Sequence, residues 1–85
     1  MMQHDLKCWP VFFEKILTGE KRHEIRLNDR NFQVGDILQL REWDPITKRH
    51  TGRAVLREVT YITPSPSIGL LPGYVAMSIR TPVRP

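Results

Sequence analysis

Within the run Gly-Glu-Lys-Arg-His-Glu-Ile-Arg at residues 19–26, three side chains have the types and spacing to do chemistry together: Lys21, Glu24 and Arg26. Glu24 and Arg26 are two apart in an alternating stretch, so on a strand they emerge from one face with Cα atoms about 6.5–7 Å apart. Lys21 lies just upstream, in a turn that follows a short helix. An ammonium, a carboxylate and a guanidinium around one opening can orient a polar planar ligand. Arginine forks onto phosphate or carbonyl oxygens, and glutamate accepts from amino groups such as that of cytosine. Alternating charges on a strand's solvent face also serve solubility and cross-strand pairing, and both readings stand at this level.

Other residues widen or narrow the choice. Trp9 stands beside Lys7 and ahead of the helix, where it either stacks a base or packs in the core. Arg30, Arg41, Arg53 and Arg57 carry positive charge through the middle of the chain and could track a phosphate backbone. Lys48, Arg49 and His50 form a basic loop tip of the kind that is usually only solvated. His4, His23 and His50 are widely spaced, and none has ligand spacing with Cys8, which argues against a metal site. Ser65, Ser67 and Ser78 lack a nucleophile-elbow context, and no glycine-rich phosphate loop or cofactor motif is present. Cys8 occupies an apolar strand position and reads as core.

The elements that must position these residues follow from periodicity. Residues 4–9 alternate, with Leu6 and Cys8 on one face. Pro10 suits a first helical turn, and Phe12, Phe13, Ile16 and Leu17 recur at helical spacing until Gly19 stops the helix. Residues 22–28 alternate again, with His23, Ile25 and Leu27 on one face and Arg22, Glu24, Arg26 and Asn28 on the other. Strands are expected at 37–43, 53–62 and 74–80, the last with Val75, Met77 and Ile79 inward. A polar hairpin loop is expected at 44–52. Residues 63–67, with Pro64 and Pro66, are expected to end the 53–62 strand and open a connector running to Pro72-Gly73. The order is β-α-β-β-β-β. One helix cannot cover both faces of five strands, so the expected fold is mainly β, a small barrel with one short capping helix; an open sheet with the helix on one face is the alternative.

Eighty-five residues make one domain, taken as 1–80 with a frayed tail at 81–85. The single cysteine excludes an internal disulfide and any cysteine-rich zinc cluster. No apolar run approaches the roughly 18 residues of a membrane helix and no signal peptide is recognisable, which points to the cytoplasm and away from a membrane. Thirteen Lys and Arg against nine Asp and Glu give a net charge of +4, which favours anionic partners.

The spacing of Gly19, Lys21, Glu24 and Arg26 resembles the G-x-K-x-x-E-x-R hallmark of ASCH domains in the PUA-like superfamily. The likeness extends to the opening His4, Leu6 and Lys7, to Ile16-Leu17 before Gly19, to Asn28-Asp29-Arg30, Phe32 and Val34-Gly35-Asp36, and to Pro72-Gly73-Tyr74-Val75. Together these look like one small uncharacterised bacterial and phage branch. The resemblance implies a PUA-like barrel with a polar cleft between helix and barrel, and a role in binding RNA or modified bases. It raises the functional reading of Lys21, Glu24 and Arg26 above that of a solvated face. Some ASCH relatives look like amidohydrolases of acylated cytidines that use a Lys, a Thr three residues later and a distant Glu. Here Lys21 is followed three residues later by Glu24, and neither Thr18 nor Glu58 restores that pattern.

Three functions therefore compete. The first is an RNA- or nucleotide-binding module using Lys7, Trp9, Lys21, Glu24, Arg26, Asn28, Arg30 and Arg53, without cofactor or metal. The second is a small hydrolase of a modified nucleoside or RNA, with Lys21 as base and Glu24 positioning it; a neighbouring carboxylate, which holds a lysine charged, works against this. The third is a protein-interaction adaptor acting through the 63–72 connector. Oligomeric state does not follow from the sequence.

Overall fold

Alternating burial is the rule along the strands, and it sets which side chains face the core. A computed structural model describes residues 1–67 and 69–83. It contains β1 (Gln3–Cys8), α1 (Pro10–Thr18), β2 (His23–Leu27), β3 (Ile37–Asp44), β4 (Arg49–Pro64) and β5 (Tyr74–Arg80). The expected element order is observed. The strands form one sheet in the order β1-β3-β4-β5-β2, with β1 parallel to β3 and every other pair antiparallel.

The sheet curls into a half-barrel around a core that includes Leu6, Phe32, Leu38, Leu40, Val59 and Met77. Helix α1 contributes Phe13 and Ile16. Phe12 and Leu17, which share its apolar stripe, stay exposed at 46% and 43%. Pro10 starts the helix, while Gly19 ends it in the left-handed conformation at φ 82°, where a Cβ would be strained. Arg22 Nε donates to the Gly19 carbonyl at 2.8 Å and Arg57 to the Ile16 carbonyl at 3.3 Å, so two cations serve the negative end of the helix.

Strand β4 is longer than expected at both ends. The loop before it shrinks to a tight turn, in which Asp44 Oδ1 accepts from the Ile46 amide at 2.8 Å and Lys48 takes a positive φ of 57°. Gly52, expected in a loop, lies inside the strand at φ 97°, where the pairing with β3 shifts from Arg41–Ala54 to Trp43–His50. A bulge absorbs the extra residues. At the other end, Pro64 is the last rung of the ladder, opposite Val75, so its missing N–H costs little. The connector after it includes Ile68, and the tail includes Arg84 and Pro85; these three lie outside the described residues.

The curl stops short of a closed ladder, because β1 and β2 are the two edges of the sheet and do not pair with each other. Two side chains, Arg26 on β2 and Arg30 just beyond its end, reach across to β1 instead. Arg26 donates to the Lys7 carbonyl, and Arg30 Nη1 donates to the Asp5 carbonyl at 2.7 Å. Deeper in, buried Asp36 ties the start of β1 to the loop before β3. It accepts from the Met2 amide at 3.0 Å and the Gln33 amide at 3.0 Å, and meets His4 Nε2 at 2.9 Å.

A candidate nucleotide cleft at the seam

Where β1 runs into α1 and faces β2, a cleft of about 470 Å³ opens, lined by Lys7, Cys8, Trp9, Phe12, Lys21, His23, Glu24, Ile25 and Arg26. That volume lies within the roughly 300–1,000 Å³ of small-molecule sites.

Register explains why the charged residues face into it. Glu24 pairs with Met77 and Arg26 with Val75, and both partners are core residues on the concave face. The same pairing turns Ile25 and Leu27 outward, at 53% and 48% exposure. A slip of one residue would exchange the two sets.

Glu24 is the buried centre of the group, its side chain only 6% exposed. Its Oε1 accepts from Lys21 Nζ at 3.1 Å and its Oε2 from Arg26 Nε at 3.0 Å. Lys21 also donates to the His23 carbonyl, and Arg26 also donates to the Lys7 carbonyl. An ammonium has three N–H bonds and a guanidinium five, so one N–H on Lys21 and three on Arg26 remain unspent among the described residues. Both carboxylate oxygens, by contrast, are already engaged. The cleft therefore offers more donors than acceptors, with a net charge of +1 from Lys21, Glu24 and Arg26.

Beside these donors stands an aromatic shelf. Trp9 forms the N-cap of α1, and its carbonyl accepts from the Phe12 and Phe13 amides at 3.0 and 2.8 Å. Its ring stacks on Phe12 with centroids 6.4 Å apart and planes at 16°. Half of Trp9 is exposed, which settles its place at the surface of the cleft rather than in the core. Cys8 lies beneath, 3% exposed. Burial first, and then the charge of Glu24, push its thiol up to about 11, against smaller opposing effects from Arg26 and Lys21. A thiol so placed is not a ready nucleophile.

The sequence candidates are thus divided. Lys21, Glu24, Arg26 and Trp9 meet in the cleft. Lys7 shapes its rim with a backbone carbonyl, while its ammonium sits 4.5 Å above the Trp43 ring. Arg30 is next door, on Asp5. Asn28 belongs to a turn, where its Oδ1 accepts from the Phe32 amide at 2.9 Å. Arg53 lies elsewhere, with Nε on Glu42 Oε1 at 2.9 Å, a second contact to Glu14, and its guanidinium 5.0 Å from the Phe13 ring. Glu42, buried at the β3–β4 bulge, is held below its ordinary value by Arg53 and then by Thr51 Oγ1 at 2.6 Å. Cys8, Phe12, His23 and Ile25 also line the cleft and were not among the sequence candidates. Phe12 had a signal, since it lies three residues after Trp9 and so on the same helical face.

No group of three or more His, Cys, Asp or Glu side chains among the described residues could hold a metal ion. No helix among them is long and apolar enough to cross a membrane.

Two comparisons with known proteins bear on this cleft. A protein of Escherichia phage P2, described as an uncharacterized 12.9 kDa protein in the GpA 3′ region, is 40% identical over 60 residues. The matched stretch is 71% of this chain and 53% of that protein, so the chain spans about half the length of the relative. The model of a domain of unknown function, DUF3850, matches residues 3–79, nearly the whole of the described fold. The chain belongs to the DUF3850 family.

Proposed function

We propose that this domain binds RNA or a nucleotide in the cleft between α1 and β2. The carrying observation is the pairing of unspent donors with an aromatic shelf. Lys21 and Arg26 present N–H groups that suit phosphate or carbonyl oxygens, and Trp9 and Phe12 present a ring face to a base. A nucleotide carries both complements in one molecule. Glu24 keeps the two cations apart and aimed, and its remaining lone pairs can accept from an exocyclic amino group. The resemblance to the ASCH domains of the PUA-like superfamily points the same way, and the same reading takes the protein to act in the cytoplasm.

The hydrolase reading gains nothing from this geometry. Both partners of the Lys21 ammonium are acceptors, and Thr18 is turned to the Lys15 carbonyl and Glu20, away from the cleft.

Fluorescence anisotropy with a labelled single-stranded RNA at low salt tests the proposal. Wild type binds, affinity falls as salt rises, and Lys21→Met and Arg26→Met each weaken binding by roughly 10-fold or more, the worth of a charge-assisted hydrogen bond. No binding of RNA or nucleotides at low salt, or equal binding by both variants, would overturn it.

A further inference from the structure

Beyond Arg26 the outer face of the sheet carries a second hollow, of about 280 Å³, among Asp5, Lys7, Arg26, Arg30, Arg41 and His50. Four of these are permanent cations and one is a carboxylate. Lys7 and Arg41 stand opposite each other in the parallel β1–β3 ladder. Both point outward, since Leu6, Cys8, Leu40 and Glu42 on either side of them are buried. Neighbouring strands are only about 4.8 Å apart, and like charges facing each other at that spacing work against the sheet. No carboxylate lies within 4.0 Å of either cation among the described residues. The fold therefore holds two positive charges side by side without an ion-pair partner, next to Arg30, whose guanidinium is 3.8 Å from the exposed Asp29 carboxylate.

Arg26 belongs to both places. Its Nε is fixed on Glu24 inside the cleft, while its side chain also walls the hollow. A base-sized opening with an aromatic shelf and a phosphate-sized hollow thus share one guanidinium. The shelf of Trp9 and Phe12 is reachable only by a base that is not stacked within a duplex.

We propose that the hollow takes the phosphodiester backbone next to the nucleotide held in the cleft, so that the ligand is a single RNA strand several nucleotides long. Lys7, Arg30 and Arg41 are its backbone contacts, and the charge of Asp5 is outweighed by theirs. This assignment rests on the nucleotide-binding reading of the cleft and extends it to a polymeric ligand.

The test uses the full chain with labelled hexacytidylate, and cytidine monophosphate as competitor, across a series of salt concentrations. Hexacytidylate binds more tightly and with a steeper salt dependence than the mononucleotide. Each phosphate contact adds about 0.7 to the log–log slope, or about 2.6-fold for a fourfold rise in salt. Arg41→Gln, outside the cleft lining, lowers that slope by about one such step and leaves the monophosphate unaffected; Lys7→Gln lowers the hexanucleotide slope likewise from the neighbouring strand. If the two ligands bind with equal affinity and slope, and neither variant changes them, the hollow is not a backbone path. The cleft reading then survives provided Lys21→Met weakens the monophosphate. If Lys21→Met alters neither ligand, both readings fall together.

Discussion

Replacing Glu24 by glutamine separates what the charged trio does for the fold from what it does for a ligand. The substitution keeps the side chain's shape but removes its charge and turns one acceptor into a donor facing a cation. Breaking a fully buried ion pair in this way costs about 3–5 kcal/mol. Here the Lys21 and Arg26 side chains are 19% and 28% exposed, and each keeps a backbone carbonyl as second partner. About half that cost, ~2 kcal/mol, is therefore expected. In a domain of this size it corresponds to a melting temperature lower by about 8–16 °C, measured by circular dichroism. The triple change Lys21→Met, Glu24→Leu, Arg26→Met removes all three charges at once and leaves nothing buried without a partner. Apolar replacement of an ion-pair group is often neutral or stabilising, so the triple variant should melt above Glu24→Gln while binding no RNA. A triple variant that melts below Glu24→Gln would refute the reasoning, since the trio would then be holding the fold rather than waiting for a ligand.

Asp36 gives an acid-dependent signature: burial acts to raise its carboxyl, but the Met2 amide, His4 and the Gln33 amide overcome this and hold it below its ordinary 3.8. Its contribution is complete above that pH and is lost as pH falls through the folded value, so urea midpoints should drop with acid below about pH 4, and Asp36→Asn should lower stability at neutral pH by about 1–3 kcal/mol and flatten that drop. Cys8 is pushed the other way, from 9.0 to about 11, so the fold should lose stability between those pH values as the unfolded thiol ionises, and iodoacetamide should label Cys8 at pH 8 only after denaturant is added. Arg53→Met, which strips buried Glu42 of its cation at the β3–β4 bulge, should lower the melting temperature and leave RNA affinity unchanged; a loss of affinity would place Arg53 in the binding surface after all.

Local chemistry made part of this structure readable. Pro10 and Gly19 bracket α1, and the alternation of Val75, Met77 and Ile79 marks the inner face of β5, as their residue types require. The two ends of β4 depart from the sequence expectation because Gly52 and Pro64 are strand breakers by propensity, and what keeps them in the ladder is non-local: a bulge against β3 and a last rung on β5. The orientation of β2 was the hardest to read. A binary pattern favours Ile25 and Leu27 inside, and only the pairing with β5, together with the neutralisation of Glu24 by residues on either side, puts the carboxylate there instead. The hollow around Arg41 had no signature beyond positive charge, because Lys7 and Arg41 are brought together by a parallel pairing across more than thirty residues of chain.

The seam between β1 and β2 has a consequence for how such a fold can diversify. A ladder fixes the spacing of two strands at one value, and no substitution can alter it without breaking backbone hydrogen bonds. Here the reach of two side chains, Arg26 and Arg30, sets the gap, so its width is a variable that point mutation can change. A shorter or uncharged residue at Arg26 should resize the mouth of the cleft, and one at Arg30 the neighbouring hollow, with the β1–β3 and β2–β5 pairings untouched. The scaffold can thus be inherited intact while the aperture is retuned, one side chain at a time, to admit a different guest.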